Sequence, residues 1–285
     1  MSGVKPRKVE PFESLKISPC GLITIVGKSN SGKTTLLRSV INKLYAEGLF
    51  RVYVFSSTAD LYRDSDYNFT APQYVHKISM ERIRRLKLRQ EIIVKRSVKD
   101  KRIEPRWLCV VLDDFIGDND SNLAAKKSAV ISQLAVSGRH YKICTILLSQ
   151  HLNKCPPVVR LQSNYIFVTK TNMTTIKDGL FPLQTQYTNK SQFWELYNSH
   201  SQSKKYSSMM FQDVDPYDDN IRWLEPVKMV DFIDDPASAK IMQEIEEHNR
   251  NKEEYVLQEL EDDKADDSHS SNDEGGFGDD SSSTG

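Results

Sequence analysis

Five short apolar runs punctuate the chain: Leu22-Ile-Thr-Ile-Val26, Val52-Tyr-Val-Phe55, Leu108-Cys-Val-Val-Leu112, Ile143-Cys-Thr-Ile-Leu-Leu148 and Tyr165-Ile-Phe-Val168. Each is four to six residues long and rich in β-branched or aromatic side chains, which suits a strand and is too short for a helix. Between them the period changes. Thr34 to Ala46 sets Leu36, Leu37, Val40, Ile41 and Leu44 on one helical face, and Ile83, Leu86 and the Ile92-Ile93 pair fit an amphipathic helix within Glu81 to Arg106. Leu123 to Val136, Met173 to Leu180 and Gln192 to Tyr197 also read as helical. Strands that are apolar throughout and alternate with helices predict an α/β fold, a central parallel sheet with helices on both faces.

Charge divides the chain in a way its net value conceals. The formal charge is zero, yet Asn251 to Gly285 holds 12 acidic residues against Lys252 and Lys264, so this tail carries −10 and residues 1 to 250 carry +10. A basic body suits a polyphosphate ligand. The basic character is densest in Glu81 to Arg106, where 11 Lys or Arg residues accompany four acidic ones. The tail has too few apolar residues to order itself and is expected to be disordered. No apolar run approaches the roughly 20 residues that span a bilayer, and the polar start Met1 to Glu10 is unlike a signal peptide. Cys20, Cys109, Cys144 and Cys155 form no CxxC pair and are expected to be reduced thiols, with Cys109 and Cys144 inside apolar runs.

Gly27-Lys-Ser-Asn-Ser-Gly32-Lys33-Thr34 matches G-x4-G-K-[ST] and stands where the chemistry needs it, after an apolar run and before a helical one. Glycines let the backbone curl so that its N–H groups converge on phosphate oxygens, and the helix N-terminus adds positive potential. Gly27, Lys28, Ser29, Asn30, Ser31, Gly32, Lys33, Thr34 and Thr35 are therefore the expected nucleotide-binding residues. Lys33 would neutralise the β- and γ-phosphates, and the Thr34 hydroxyl would join the shell of Mg²⁺.

The third run ends in Asp113-Asp114. Four apolar residues before an acid form a Walker B pattern, so Asp113 is expected to hold Mg²⁺ with Thr34. Asp114 is the expected water-polarising acid; its structural alternative is a turn cap before Phe115-Ile-Gly117. Gln150, after the fourth run, would orient water if that strand lies between the phosphate-loop strand and the Walker B strand; otherwise it is a surface residue ending a strand. Arg139, in Ser137-Gly-Arg-His-Tyr141, is the expected arginine reaching a neighbouring subunit's γ-phosphate, with Arg160 its competitor.

Gly27 to Thr34, Val110-Val-Leu-Asp-Asp114, Ser137-Gly-Arg-His140 and Thr145-Ile-Leu-Leu-Ser-Gln-His151, followed by Val159-Arg160, resemble the FtsK/HerA superfamily of P-loop ATPases in order and spacing. Within it they are most similar to the genome-packaging ATPases of poxviruses and other large DNA viruses. The resemblance covers about residues 20 to 170. It implies a RecA-like sheet with an additional strand between the phosphate-loop and Walker B strands, ATP and Mg²⁺ as ligands, and a ring-shaped homo-oligomer. It also implies an arginine finger at Arg139, double-stranded DNA threaded through the ring, and a capsid or portal-like vertex protein as partner. The expected organisation is an arm over 1–18, the ATPase domain over 19–235, a charged helix over 236–260 and a disordered acidic tail over 261–285. The expected location is the host cell cytoplasm or nucleus, or the virion.

Other readings compete. A GTP-dependent switch would use Asp114-Phe-Ile-Gly117 as D-x-x-G and Thr169-Lys-Thr-Asn172 to read guanine, but Asn172 is not the carboxylate that guanine's donors require. A small-molecule kinase needs a basic lid, and the basic stretch precedes the Walker B strand. A helicase or replication factor shares the ATPase motifs and is the strongest rival. A non-enzymatic DNA-binding protein has no use for Lys33, Thr34 and Asp113 together. Lys95, Arg96, Lys99, Lys101 and Arg102 are candidate contacts to DNA phosphates, or equally a solvated helix face.

Overall fold

The computed structural model describes residues 9–62, 66–115, 121–183, 189–212 and 221–227. In chain order it contains β1 (Val9–Glu10), β2 (Leu22–Val26), α1 (Lys33–Ala46), β3 (Leu49–Ser56), the short α2 (Ala59–Tyr62), β4 (Val75–His76) and α3 (Met80–Lys99). Next come β5 (Trp107–Asp113), α4 (Ser121–Ser137), β6 (Ile143–Ser149), α5 (Pro157–Gln162) and β7 (Tyr165–Val168). A π-helical segment, Thr175–Leu180, precedes α6 (Lys190–Ser203), β8 (Ser208–Gln212) and β9 (Ile221–Leu224).

The nine strands of the described residues join one sheet, in the order β1-β9-β8-β7-β2-β6-β5-β3-β4. From β7 to β4 the neighbours are parallel. The expected α/β architecture is therefore present, and so is the additional strand: β6 pairs with β2 on one side and with β5 on the other. Every residue of β2 and β6 is buried, as strands covered on both faces must be. Leu36, Leu37, Val40, Ile41 and Leu44 bury the predicted face of α1. That helix stops at Gly48, whose φ of 92° is a left-handed exit that costs glycine little.

The sheet extends beyond what hydrophobic runs foretold. β8 is antiparallel to β7 and to β9, so the sheet is mixed at this edge. The residues described within the stretch expected as an arm over 1–18 pack on the sheet. From Val9 onward they belong to the fold: β1 pairs with β9, and Phe12, Leu15 and Ile17 are buried. Lys43 of α1 donates to the carbonyls of Glu13 and Leu15 at 2.9 and 2.7 Å, which fastens this segment onto the helix.

α3 begins at Ser79, whose hydroxyl accepts from the Arg82 N–H, and packs through Ile83 and Gln90. Gln90 is a buried polar group, and its amide donates to the carbonyls of Arg106 and Tyr141. All four cysteines are free thiols, and Cys109 and Cys144 are buried register partners on β5 and β6. No helix among the described residues is long and apolar enough to cross a membrane. The charged helix expected over 236–260 and the tail over 261–285 lie outside the described residues, as does Gly117.

Candidate functional site

The phosphate loop leaves the C-terminal end of β2 in the middle of the sheet. Gly27 N–H donates to Ser149 O at 3.1 Å and Lys28 N–H to Lys170 O at 2.8 Å, so the loop's first turn is held by the last residue of β6 and by the chain just past β7. Asn30 and Gly32 adopt positive φ of 57° and 89°, conformations that asparagine and glycine accept most readily. Space is equally tight at Gly27, where a Cβ would lie 1.8 Å from Thr169 Oγ1 and 2.5 Å from Ser31 Oγ. Those two hydroxyls bond to each other at 2.7 Å, and Tyr197 anchors the Thr169 strap by donating to the Thr169 carbonyl and accepting from Thr171 N–H. Gly27→Ala should therefore lower stability by about 1–3 kcal/mol, the usual cost of overpacking. That corresponds to roughly 2–10 °C in a thermal melt, and adding Thr169→Ala should recover part of the loss.

The same strap gives the stretch weighed for guanine a structural role. Asn172 Oδ1 accepts from Thr175 N–H at 2.7 Å and so caps the π-helical segment, while Thr169 props the phosphate loop. The Thr169-Lys-Thr-Asn172 stretch is loop support, with its key groups committed internally.

Lys33, the first residue of α1, directs its ammonium back across the loop to Gly27 O at 3.0 Å and Lys28 O at 2.9 Å. Burial holds its pKa below the ordinary lysine value, opposed by the charges of Asp114 and Asp113. These acids end β5, two strands from the loop. Asp113 is pushed above the usual carboxylate range by burial; the Tyr67 hydrogen bond pulls it down, the Asp114 charge raises it, and Lys33 and the Asp114 N–H lower it. The Tyr67 hydroxyl donates to Asp113 Oδ2 at 2.6 Å. Tyr67 is itself buried, and burial next to an anion raises its phenol pKa, keeping it a donor. Asp114 is exposed and has φ of 47°, a left-handed turn that Asp tolerates better than Glu does. A short acid here follows from the backbone.

Gln150 is exposed one residue past β6, beside Gly27 on one flank and the end of β5 on the other, since Ser149 is opposite Val26 and Leu148 opposite Asp113. The fold thus gathers Gly27 to Thr35, Asp113, Asp114 and Gln150 on one sheet edge. Arg139 is elsewhere. It is exposed in the turn Gly138–Tyr141, which precedes β6, and a Cβ on Gly21 would lie 3.6 Å from its Cβ, which places it at the opposite end of β2. Five residues of β2 separate that end from the loop, about 16 Å at strand rise, farther than an arginine side chain extends. Arg160 is half-buried within α5. Of the candidate DNA contacts, Lys95 pairs with Glu91 at 2.8 Å and Arg102 with Asp100 at 2.8 Å, while Lys99 and Lys101 are exposed.

A parallel sheet with a phosphate loop, two acids at the end of β5 and a glutamine on the strand between is the site of a P-loop ATPase. The model of the family described as Poxvirus A32 protein matches residues 11–214. The chain belongs to that family. This bears out the resemblance to viral packaging ATPases carried by the four sequence segments. The chain is also 25% identical over 194 residues to the uncharacterized protein 075L of Invertebrate iridescent virus 6, covering 62% of this chain and 69% of that one. Among solved structures it is similar to EssC (ATPases 2 and 3) from Geobacillus thermodenitrificans, with a TM-score of 0.52 and 15% identity. That match covers 81% of this chain and 44% of the other, and it shows a shared fold. The genome packaging NTPase B204 from Sulfolobus turreted icosahedral virus 2 matches over 75% of this chain and 100% of its own, at 15% identity and a TM-score of 0.46.

Two residues that support this site had no signal in the sequence. Tyr67 lies between the second apolar run and the basic helix, where no element was read, and Thr169 lies in a stretch weighed for guanine. Each matters because of what it touches across the fold, and neither spacing nor residue type along the chain announces such a contact.

Proposed function

We propose that this ATPase is the motor of a viral genome-packaging machine, a ring of identical subunits that hydrolyses ATP to drive double-stranded DNA into a capsid. One observation carries the reading: β6 is inserted between β2 and β5, so that phosphate loop, paired acids and Gln150 share one edge. Backbone N–H groups from Gly27 to Thr35 bind the phosphates, and Lys33 neutralises charge that grows on the γ-phosphate. Asp113 and Thr34 offer hard oxygens that fit Mg²⁺, and a carboxylate whose ionisation burial disfavours gains from a dication. Bound Mg²⁺ would supply neutralisation of the negative charge on the phosphates. Gln150 orients the water, Asp114 takes its proton as its oxygen attacks phosphorus, and the bond to the ADP oxygen breaks. Arg139 serves the neighbouring subunit's γ-phosphate, because its own lies at the far end of β2.

Lys95, Arg96, Lys99, Lys101 and Arg102 supply the phosphate-tracking surface for DNA, and a capsid or portal-like vertex protein is the partner that receives it, in the infected cell's cytoplasm or nucleus. The test is ATP turnover with duplex DNA, single-stranded DNA or neither. Duplex DNA of any sequence should stimulate turnover several-fold, with stimulation falling steeply as salt rises. Stimulation by single strands alone would favour a helicase or replication factor, and turnover indifferent to either DNA would remove the motor reading.

Tyr67 provides a check on the metal assignment. Hydrogen-bonded groups behind a metal ligand orient it, and their loss typically costs 10–100-fold in metal affinity. Tyr67→Phe should raise the Mg²⁺ concentration for half-maximal turnover by about tenfold while leaving the protein folded. An unchanged Mg²⁺ requirement would separate Tyr67 from the metal.

A further inference from the structure

We infer that Tyr206 is the platform on which the base of the bound nucleotide stacks, a reading that rests on the ATPase site described above. Tyr206 lies between α6 and β8. Because β8 runs antiparallel to β7, with Met209 opposite Val168, the residues just before β8 stand at the same sheet edge as the phosphate loop. The ring reaches that loop: a Cβ on Gly32 would lie 3.0 Å from Tyr206 Cδ1 and 3.4 Å from Cγ. It gains little from burial there, since 47% of the residue is exposed. It is also held in an unfavourable backbone conformation, φ of 70°, which a bulky aromatic residue rarely adopts. An exposed ring kept against a phosphate loop in a strained conformation points to a ligand. The Lys205 ammonium sits over the ring, 4.9 Å from its centroid, so a base stacking on that face takes the place of a cation.

The sheet order gives the direction in which the nucleotide lies. β6 and β5, which end in Gln150, Asp113 and Asp114, are on one side of β2; β7 and β8 are on the other. Hydrolysis removes the terminal phosphate, so that phosphate faces the acids. The remaining phosphates, the sugar and the base then leave the loop toward β7 and β8, where Tyr206 stands. Stacking is tolerant of base identity, because every base has a π-face. Tyr206 therefore adds affinity for the base without reading its edge, and an incoming base displaces Lys205 from the ring.

The experiment compares ATP with inorganic tripolyphosphate, which has the phosphates and no base, in direct binding measurements on the full chain. Tyr206→Ala should weaken ATP about tenfold and leave tripolyphosphate unchanged, and Tyr206→Phe should bind ATP like the wild type. Tyr206→Gly relieves the backbone strain, so it should melt no lower than wild type and still lose ATP affinity; this separates a ligand role from a folding role. ATP affinity unchanged in Tyr206→Ala, or equal losses for ATP and tripolyphosphate, would overturn the stacking role and leave the ring as a prop for Gly32. A wild-type chain that binds neither ligand would instead overturn the ATPase reading beneath it.

Discussion

Lys33→Ala should reduce ATP turnover by at least about 100-fold, the loss that follows removal of one preorganised donor to transition-state charge. On the proposed reading the ammonium is the cation that the loop itself supplies to the phosphates, and it is already turned inward, bonded to Gly27 O and Lys28 O. The loop's other lysine, Lys28, is exposed. Alanine is the best helix former, and Lys33 is the first residue of α1, so the helix should survive the change. The measurement is steady-state turnover beside a thermal melt. Full turnover in a folded Lys33→Ala protein would sink the phosphate-loop assignment, whereas loss of folding would show that the two carbonyl bonds matter structurally.

Arg139→Ala should bind ATP normally and lose on the order of 10³-fold in turnover, the contribution of arginine fingers supplied in trans. On the proposed reading Arg139 acts in trans, since it adjoins Gly21 and its own phosphate loop begins beyond the far end of β2. Its turn is rigidly held. Gln90 donates to Tyr141 O, Leu108 N–H donates to Lys142 O, and Gly138 lets the turn pass close to Ile143, whose carbonyl would be 3.1 Å from an added Cβ. Mixing Arg139→Ala with Lys33→Ala should restore part of the activity, because an intact loop of one subunit then meets an intact arginine of the next. Turnover is followed against mixing ratio at constant total protein. A flat line at background in samples shown to co-assemble would move the role to Arg160, which lies within α5.

Much of this site was legible along the chain because its chemistry is local. The phosphate loop is a continuous segment whose glycines, lysine and threonine have fixed offsets, and the two acids follow directly on an apolar run. The position of β6 was legible only conditionally: the segment resembled a known family, but which strands it pairs with depends on contacts between residues more than 100 positions apart, as between Ile23 and Ile146. β8 and β9 escaped notice for another reason. Ser208–Gln212 mixes Met with Ser and Gln, and Arg222 is exposed in the middle of β9, so neither presents a clean run or a strict alternation. β1 is only two residues long and is a strand because β9 offers it an edge.

By itself, then, the sequence determined the strand and helix alternation, the nucleotide-binding loop, the acidic pair and the family, because each is encoded in neighbouring residues whose spacing is the signal. Tertiary structure decided which groups act on one another. It placed Gln150 beside Gly27, tied Tyr67 to Asp113, brought Tyr206 to Gly32 and carried Arg139 to the opposite end of β2. It also supplied the reason for a short acid at position 114, where the backbone turns left-handed. These relations are set by strand order and register. Both depend on burying the whole sheet between its helices, a condition on the entire chain that no single segment of it expresses.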